Sequence, residues 1–323
     1  MKNKSPQLVF YEVFREEQTA LRNFLPKHIR ARFYPTTIQN TADQGLQPEI
    51  ISIRTQSRIS TAHAAFLKGV LTRSQGHEHL FGFARRTKIP CGYLPCYCSR
   101  SVAEHAVMAM MALLRKLKVQ LKNMRTFDRE NIMGSECRGQ KALVIGVGSI
   151  GSEMVDILKG LRMSVRGVDT VRRLKNLRYV SLSEGVAWAD VIFCALPLTA
   201  KTKGILNYHL FKKAKKGLIF INISRGEISP IGDLRKLLEE KRLGGLSLDV
   251  YPQESLWADY LRGTSRKLTK DIRVLLALGG KDNVLFTPHN AFNTRESVER
   301  KAYLTIQSIK LFLLNGQFPQ AVS

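Results

Sequence analysis

The sequence predicts an α/β protein built as two domains, and three observations carry that prediction. At 323 residues and 44% hydrophobic content, the chain is long for one compact core and comfortable for two. Short apolar runs alternate with polar helical stretches, the pattern of parallel strands joined by helices. One apolar run, residues 142–145, leads into a glycine-rich turn and then a helix over 153–161, the opening of a doubly wound parallel sheet.

Taken in order, residues 8–13, 50–54 and 69–72 read as strands and 16–24 and 61–68 as helices, with a polar loop over 35–48. A long helical pattern runs from 102 to about 124. Ser101 reads as its N-cap and Glu104 as the capping-box partner. Val102, Ala106, Ala109, Leu113 and Leu117 keep the three-to-four spacing of one buried face. Further strands are expected at 142–145, 164–168, 191–195, 218–222, 245–248 and 284–286. Several are continuous apolar runs, as a central parallel sheet covered on both faces requires. Residues 255–282 read as a long charged connection, and 297–314 as a last helix stopped by Asn315-Gly316. The expected division is 1–103 with 298–323 for one domain and 104–297 for the other.

Composition excludes several classes. No run of eighteen apolar residues exists, so no membrane-spanning helix is expected. Residues 1–10 lack the apolar core of a signal peptide, which makes the cytoplasm the default location. Cys91, Cys96, Cys98, Cys137 and Cys194 are odd in number and lack the paired spacing of a zinc site, so reduced thiols and no metal are expected. Fifty-one Lys and Arg face 26 Asp and Glu, a formal charge of +25. The excess is scattered over 85–88, 212–216, 235–236, 241–242 and many single sites. It reads as a solvated surface, and without a binding motif nucleic acid is not an expected partner.

The glycine turn is Gly146-Val147-Gly148-Ser149-Ile150-Gly151. The first glycine permits a tight turn, the second lets backbone amides approach a pyrophosphate, and the third lets the helix pack on its strand. The helix N-terminus adds partial positive charge. The strand over 164–168 ends at Asp169, about 20 residues on, where a carboxylate holds both ribose hydroxyls of a dinucleotide. Asp169 favours NAD, because a 2′-phosphate would face a carboxylate. Arg172 and Arg173 keep NADP open as the second choice.

Three further segments follow predicted strands: Asn222-Ile-Ser-Arg225-Gly226, Leu248-Asp249-Val-Tyr-Pro-Gln-Glu254 and Thr287-Pro-His289-Asn-Ala291. In an open α/β sheet, ligands bind beyond the carboxyl ends of the strands, so Arg225, Glu254 and His289 are expected to face one crevice. With Arg73-Ser-Gln-Gly76, Leu94-Pro-Cys-Tyr97, Val102-Ala-Glu-His105 and Leu196-Pro197-Leu-Thr199, these stretches stand in one family's order over nearly the whole chain. The chain resembles the D-isomer-specific 2-hydroxyacid dehydrogenases.

That resemblance implies a Rossmann-type cofactor domain and a flavodoxin-like substrate domain with a cleft between them. It also implies a homodimer built on the long helix. His289 would be the acid/base, Glu254 would hold its tautomer and favour the protonated ring, and Arg225 would grip the substrate carboxylate in two-point fashion. Gly146, Gly148, Ser149, Ile150, Gly151, Asp169, Pro197 and Asp249 would bind the cofactor. The amides of Ser74, Gln75 and Gly76 would receive the substrate carboxylate, and Tyr97 would border the side-chain pocket. Tyr251 reads as packing. The chain departs from the family at His77-Glu78-His79, where an aromatic or aliphatic residue usually follows the glycine. These read as solvent-exposed loop histidines, with preference for an acidic or phosphorylated substrate as the alternative. The expected activity is hydride transfer between NAD(H) and a small D-2-hydroxy acid or 2-keto acid. An NADH-sensing, corepressor-like binding protein with little turnover is the rival of a different class.

Overall fold

The computed structural model describes residues 6–42 and 45–322. The signal-peptide reading therefore lies outside the described residues for 1–5, as does the loop reading for 43–44. Two compact units are present, Met1–Cys98 with Asn293–Ser323, and Ser99–Phe292.

The first unit opens with β1 (Leu8–Phe10), α1 (Arg15–Phe24), β2 (Ala31–Phe33), β3 (Ile50–Ile53), β4 (Gly69–Thr72), α2 (Phe81–Thr87) and β5 (Cys91–Gly92). Its five strands are all parallel, in the order β2-β1-β3-β4-β5, the flavodoxin arrangement. β1, β3 and β4 are buried at every position, which is why their sequences are largely apolar without alternation. Residues 61–65 form a 3-10 turn where a longer helix is expected.

In the second unit, α3 (Ser99–Leu114) and α4 (Leu117–Asn123) precede β6 (Lys141–Ile145), α5 (Ser149–Gly160), β7 (Ser164–Val168), β8 (Arg178–Tyr179), α6 (Leu182–Trp188) and β9 (Val191–Cys194). Then come α7 (Tyr208–Phe211), β10 (Leu218–Asn222), α8 (Ile231–Glu239), β11 (Leu243–Leu248), α9 (Glu254–Leu261), α10 (Lys270–Gly279) and β12 (Val284–Phe286). The seven strands are parallel in the order β12-β11-β10-β9-β6-β7-β8. Strand order reverses between β6 and β9, the switch point at which doubly wound sheets bind dinucleotides. The chain ends in the first unit with α11 (Arg295–Asn315), stopped by Gly316 at φ +72°. No described helix is long and apolar enough to cross a membrane.

Three expectations need correction. The long helix is two, because Lys116 turns left-handed at φ +51° and the Leu114 carbonyl accepts the Ser135 amide at 2.9 Å instead of a bond one turn further along the helix. Its start is earlier too. Ser101 lies inside α3, buried, with its hydroxyl donating to Phe292 O at 3.5 Å, and Glu104 pairs with Arg100 at 2.6 Å. Finally, the charged connection over 255–282 is mostly helix: Trp257 of α9 and Ile272, Leu275 and Leu278 of α10 join the hydrophobic core around β11 and β12.

Candidate active site

The glycine turn lies at the switch point. Gly146 has φ +92°, and a Cβ there would come 2.6 Å from the Ala195 carbonyl oxygen just beyond β9. Only glycine satisfies both the dihedral and the approach. A Cβ on Gly151 would overlap the Gly146 carbonyl, so helix α5 could not lie this close to its strand with any side chain there. At Gly148, by contrast, nothing lies within 4 Å of the Cβ position. Gly148 is also the N-cap of α5 and supplies no side-chain cap. The first-turn amides of Ile150 and Gly151 therefore have neither a preceding helical carbonyl nor a capping oxygen from that residue. An open cradle lined by helix-start amides is what a pyrophosphate fits. Asp169 reaches back to this turn, its Oδ2 accepting from the Val147 amide at 2.7 Å and its Oδ1 from the Val171 amide at 2.9 Å. Arg172 and Arg173 are exposed beside it. Pro197 is exposed after β9, and its carbonyl accepts the Thr202 hydroxyl at 2.6 Å.

Beyond β10, Arg225 stands half-buried with extended backbone, and its Nη1 donates to Ser224 O at 2.8 Å. Asn222 shapes the turn by donating to Arg225 O at 3.0 Å and Ser229 Oγ at 2.9 Å. Gly226 follows because a Cβ there would overlap the Tyr251–Pro252 backbone. That packing draws the Arg225 turn against the segment that carries Glu254.

Glu254 begins α9, and its Oε1 lies 2.6 Å from Nδ1 of His289. A carboxylate only accepts, so Nδ1 carries the proton, and Nε2 is the nitrogen left to exchange one. The two side chains are 25% and 31% exposed, sheltered yet reachable. His289 sits at φ +50°, an unfavourable backbone for a side chain of this size, so its surroundings must hold it there. Asp249, 2% exposed, does so. Its Oδ1 accepts the Thr287 hydroxyl at 2.6 Å and the Asn290 amide at 2.9 Å, and its Oδ2 accepts the Ala291 amide at 2.9 Å. Asp249 thus faces the 287–291 loop. The phenol of Tyr251 lies 2.8 Å from Thr287 O and 3.1 Å from Leu248 O, and burial pushes its pKa up, keeping it a neutral donor. Sequence reasoning assigned no role to His105 or Thr287. Both stand in motifs it quoted, but the bond between them, 3.1 Å across 182 residues, has no local signal.

In the first unit, Ser74, Gln75 and Gly76 follow β4. The Ser74 hydroxyl donates to Gly76 O at 2.7 Å, and the Leu94 amide donates to Ser74 O at 3.2 Å. Behind them, the buried Arg73 guanidinium reaches Glu17 Oε1 at 3.0 Å, Ser52 Oγ at 3.1 Å and Tyr11 O at 2.6 Å. Tyr97 is 4% exposed, with its carbonyl accepting from Arg300 Nε at 2.9 Å. The reading of exposed loop histidines is corrected. His77 is half-buried, stacked on Tyr93 with 4.0 Å between ring centroids, and its Nδ1 donates to Gln75 O at 3.0 Å; His79 is half-buried as well. The His77 ring also meets the Phe81 ring edge-on, with 5.5 Å between centroids.

This geometry meets a family description. Residues 107–291, more than half the chain, match "D-isomer specific 2-hydroxyacid dehydrogenase, NAD binding domain". The chain belongs to this family. A D-lactate dehydrogenase of Lactiplantibacillus plantarum is 33% identical over 231 residues, covering 69% of this chain and 68% of that protein. A D-specific alpha-keto acid dehydrogenase of Enterococcus faecalis is 29% identical over 94% of this chain and 96% of its own length. Among solved structures, the D-lactate dehydrogenase of Aquifex aeolicus complexed with NAD and lactic acid superimposes with a TM-score of 0.85 at 27% identity, covering 98% of this chain and all of that one. The protein is an NAD-dependent oxidoreductase of the 2-hydroxyacid dehydrogenase family.

Proposed function

We propose that the protein interconverts a small 2-keto acid and its D-2-hydroxy acid, with His289 as the acid/base. The single observation that carries this reading is the 2.6 Å contact between His289 Nδ1 and Glu254 at the carboxyl end of the cofactor sheet. Bound NADH supplies the hydride for the keto carbon, and NAD takes it back in the reverse direction. His289 Nε2 gives its proton to the keto oxygen as that oxygen gains negative charge, and removes it from the hydroxyl in reverse. Glu254 steadies the ring and stabilises the charged imidazolium between the two states. Arg225 takes the substrate carboxylate through its planar fork, which also draws electron density from the adjacent carbonyl. Ser74, Gln75 and Gly76 offer amides to the carboxylate, and Tyr97 borders the side-chain pocket. Gly146, Gly148, Ser149, Ile150, Gly151, Asp169, Pro197 and Asp249 are assigned to the cofactor.

A homodimer belongs to the same proposal. Met108, Met111, Leu117, Leu121, Met124 and Phe127 leave a run of exposed apolar side chains along α3, α4 and the turn that follows. Light scattering should return the mass of two chains. A cytoplasmic location, where NAD is available and five free thiols stay reduced, completes it.

The test follows the near-ultraviolet absorbance of NADH with the purified protein across pyruvate, hydroxypyruvate, glyoxylate, oxaloacetate and branched or aromatic keto acids, with NADPH and a His289→Gln variant alongside. Turnover that disappears in the variant is the expected result. Tight NADH binding with no turnover on any acid would overturn the enzyme reading and leave a redox-sensing protein.

A further inference from the structure

The 287–291 loop is held by more than Asp249. Thr287 donates its amide to Leu248 O at 3.1 Å and lends its carbonyl to the His289 amide at 2.9 Å. Its hydroxyl stands between Asp249 Oδ1 at 2.6 Å and Nε2 of His105, on α3, at 3.1 Å. A threonine hydroxyl has one proton. Asp249 already accepts the amides of Asn290 and Ala291, so it faces the loop as an acceptor, and the Thr287 proton goes to it. The Thr287 oxygen must then accept from His105, which fixes the proton of His105 on Nε2. The same nitrogen lies 3.8 Å from Asp249 Oδ1, and the His105 side chain is only 16% exposed. His105 and Thr287 thus form a directed chain of donors that ends on the Asp249 carboxylate, which also accepts the amides of the two residues after His289.

We propose that His105 is a positioning residue for the reaction: through Thr287 and Asp249 it holds the left-handed turn that presents His289. The proposal rests on the reading of His289 as acid/base. His105 touches neither Glu254 nor His289 in this chain of bonds. Its effect is to keep the Thr287 hydroxyl turned toward Asp249, so that the carboxylate spends its second oxygen on Ala291 and the turn between them stays closed. Loss of the donor frees the hydroxyl to rotate, and His289 then samples orientations in which Nε2 misses the keto oxygen. Small errors of placement cost rate more than binding.

The experiment compares His105→Ala, His105→Gln, Thr287→Val and the double variant His105→Ala/Thr287→Val, each assayed for kcat, for KM of the keto acid and for NADH affinity by fluorescence. Gln carries an N–H donor that can reach Thr287, so it tests rescue. The expected result is a kcat roughly tenfold lower in His105→Ala with NADH affinity within about twofold, recovery to within about threefold in His105→Gln, and a double variant no slower than either single one. Equal losses in the Ala and Gln variants, additive losses in the double variant, or an unchanged kcat in His105→Ala would each overturn the proposal. If His105→Ala fails to fold, His105→Gln and Thr287→Val still decide it: near-normal turnover in the first with a clear kcat loss in the second supports it, and any other pairing overturns it. His289→Gln separates the two levels. Turnover surviving in that variant defeats the acid/base reading itself, whereas a dead His289→Gln beside a normal His105→Ala defeats only the positioning role.

Discussion

Glu17 in the first unit and Asp249 in the second are both buried carboxylates, at 1% and 2% exposure, yet they are satisfied by opposite means. Glu17 meets two cationic side chains, Arg73 at 3.0 Å and Lys301 at 2.8 Å, themselves fully buried. Asp249 meets two backbone amides and a hydroxyl within five residues of one another. The ion triad joins α1, the end of β4 and α11, three segments far apart in sequence. The amide cradle fixes one local turn. Charges that bind charges across a core tie its stability to pH, whereas a carboxylate that binds amides defines a backbone shape. The first arrangement holds a unit together, and the second aims a side chain.

The largest expected effect comes from breaking the triad. Glu17→Gln leaves Arg73 and Lys301 buried without their anion, and should cost about 3–5 kcal/mol in urea unfolding. Its pH dependence sharpens the point. Burial alone would raise the Glu17 pKa, but the Arg73 and Lys301 charges overcome it and hold it near 2, against an ordinary 4.5. A depressed carboxylate stabilises the fold above its unfolded pKa, and that contribution is lost as pH falls from about 4.5 toward 2. Lys301 is lowered from 10.5 to about 8, chiefly by burial and partly offset by Glu17. Between those values the unfolded chain holds the lysine proton more tightly than the native one, so stability rises with pH there as well. Melting curves recorded across the acid window should converge for the parent and Glu17→Gln as pH falls. Curves that stay parallel would show that Glu17 contributes nothing specific.

The second unit should respond in rate rather than stability. Glu254 is a quarter exposed at the start of α9, whose buried residue is Trp257. Glu254→Gln should lower kcat on the order of a hundredfold, by removing the charge that stabilises the imidazolium, while the melting temperature stays close to the parent. A variant that unfolds early instead would place Glu254 with Glu17, as a structural charge, and erase the contrast between the units.

The contrast also explains what the sequence revealed. The glycine turn, Asp169 and the strand ends that carry Arg225, Glu254 and His289 were legible because each lies within one strand-turn-helix unit, where spacing alone dictates position. Arg73 appeared in a quoted motif with no role, because its partner Glu17 lies 56 residues upstream and the other cation on that carboxylate, Lys301, lies on the last helix. Charges paired across a core leave no local pattern. The same holds for His105 and Thr287. β2, β5 and β8 went unseen since strands of two or three residues at the sheet edges show no period and little apolar run. The break within the long helix went unseen because the Ser135 amide, not any residue of the helix, takes the carbonyl at which α3 ends.

Glu104 offers the smallest effect and a direct test of that misjudged start. As the acid three residues after the N-cap of a capping box, its carboxylate would hold a helix-start amide, and its loss would cost about 1 kcal/mol, in line with other cap deletions. In the structure it is instead the exposed i+4 partner of Arg100, with both side chains about half exposed. Arg100 also reaches Glu153 at 3.4 Å, so its charge keeps a partner when Glu104 is gone. Glu104→Ala should therefore cost no more than about 0.3–0.5 kcal/mol, and salt should shrink even that, because exposed pairs are screened. Helix α11 supplies the matching control, since the Thr294 hydroxyl does accept the Ser297 amide at 3.2 Å. Thr294→Ala should cost about 1 kcal/mol and keep that cost in salt. Equal losses for the two variants, or a Glu104 loss indifferent to salt, would restore the capping box with Ser101 as the N-cap.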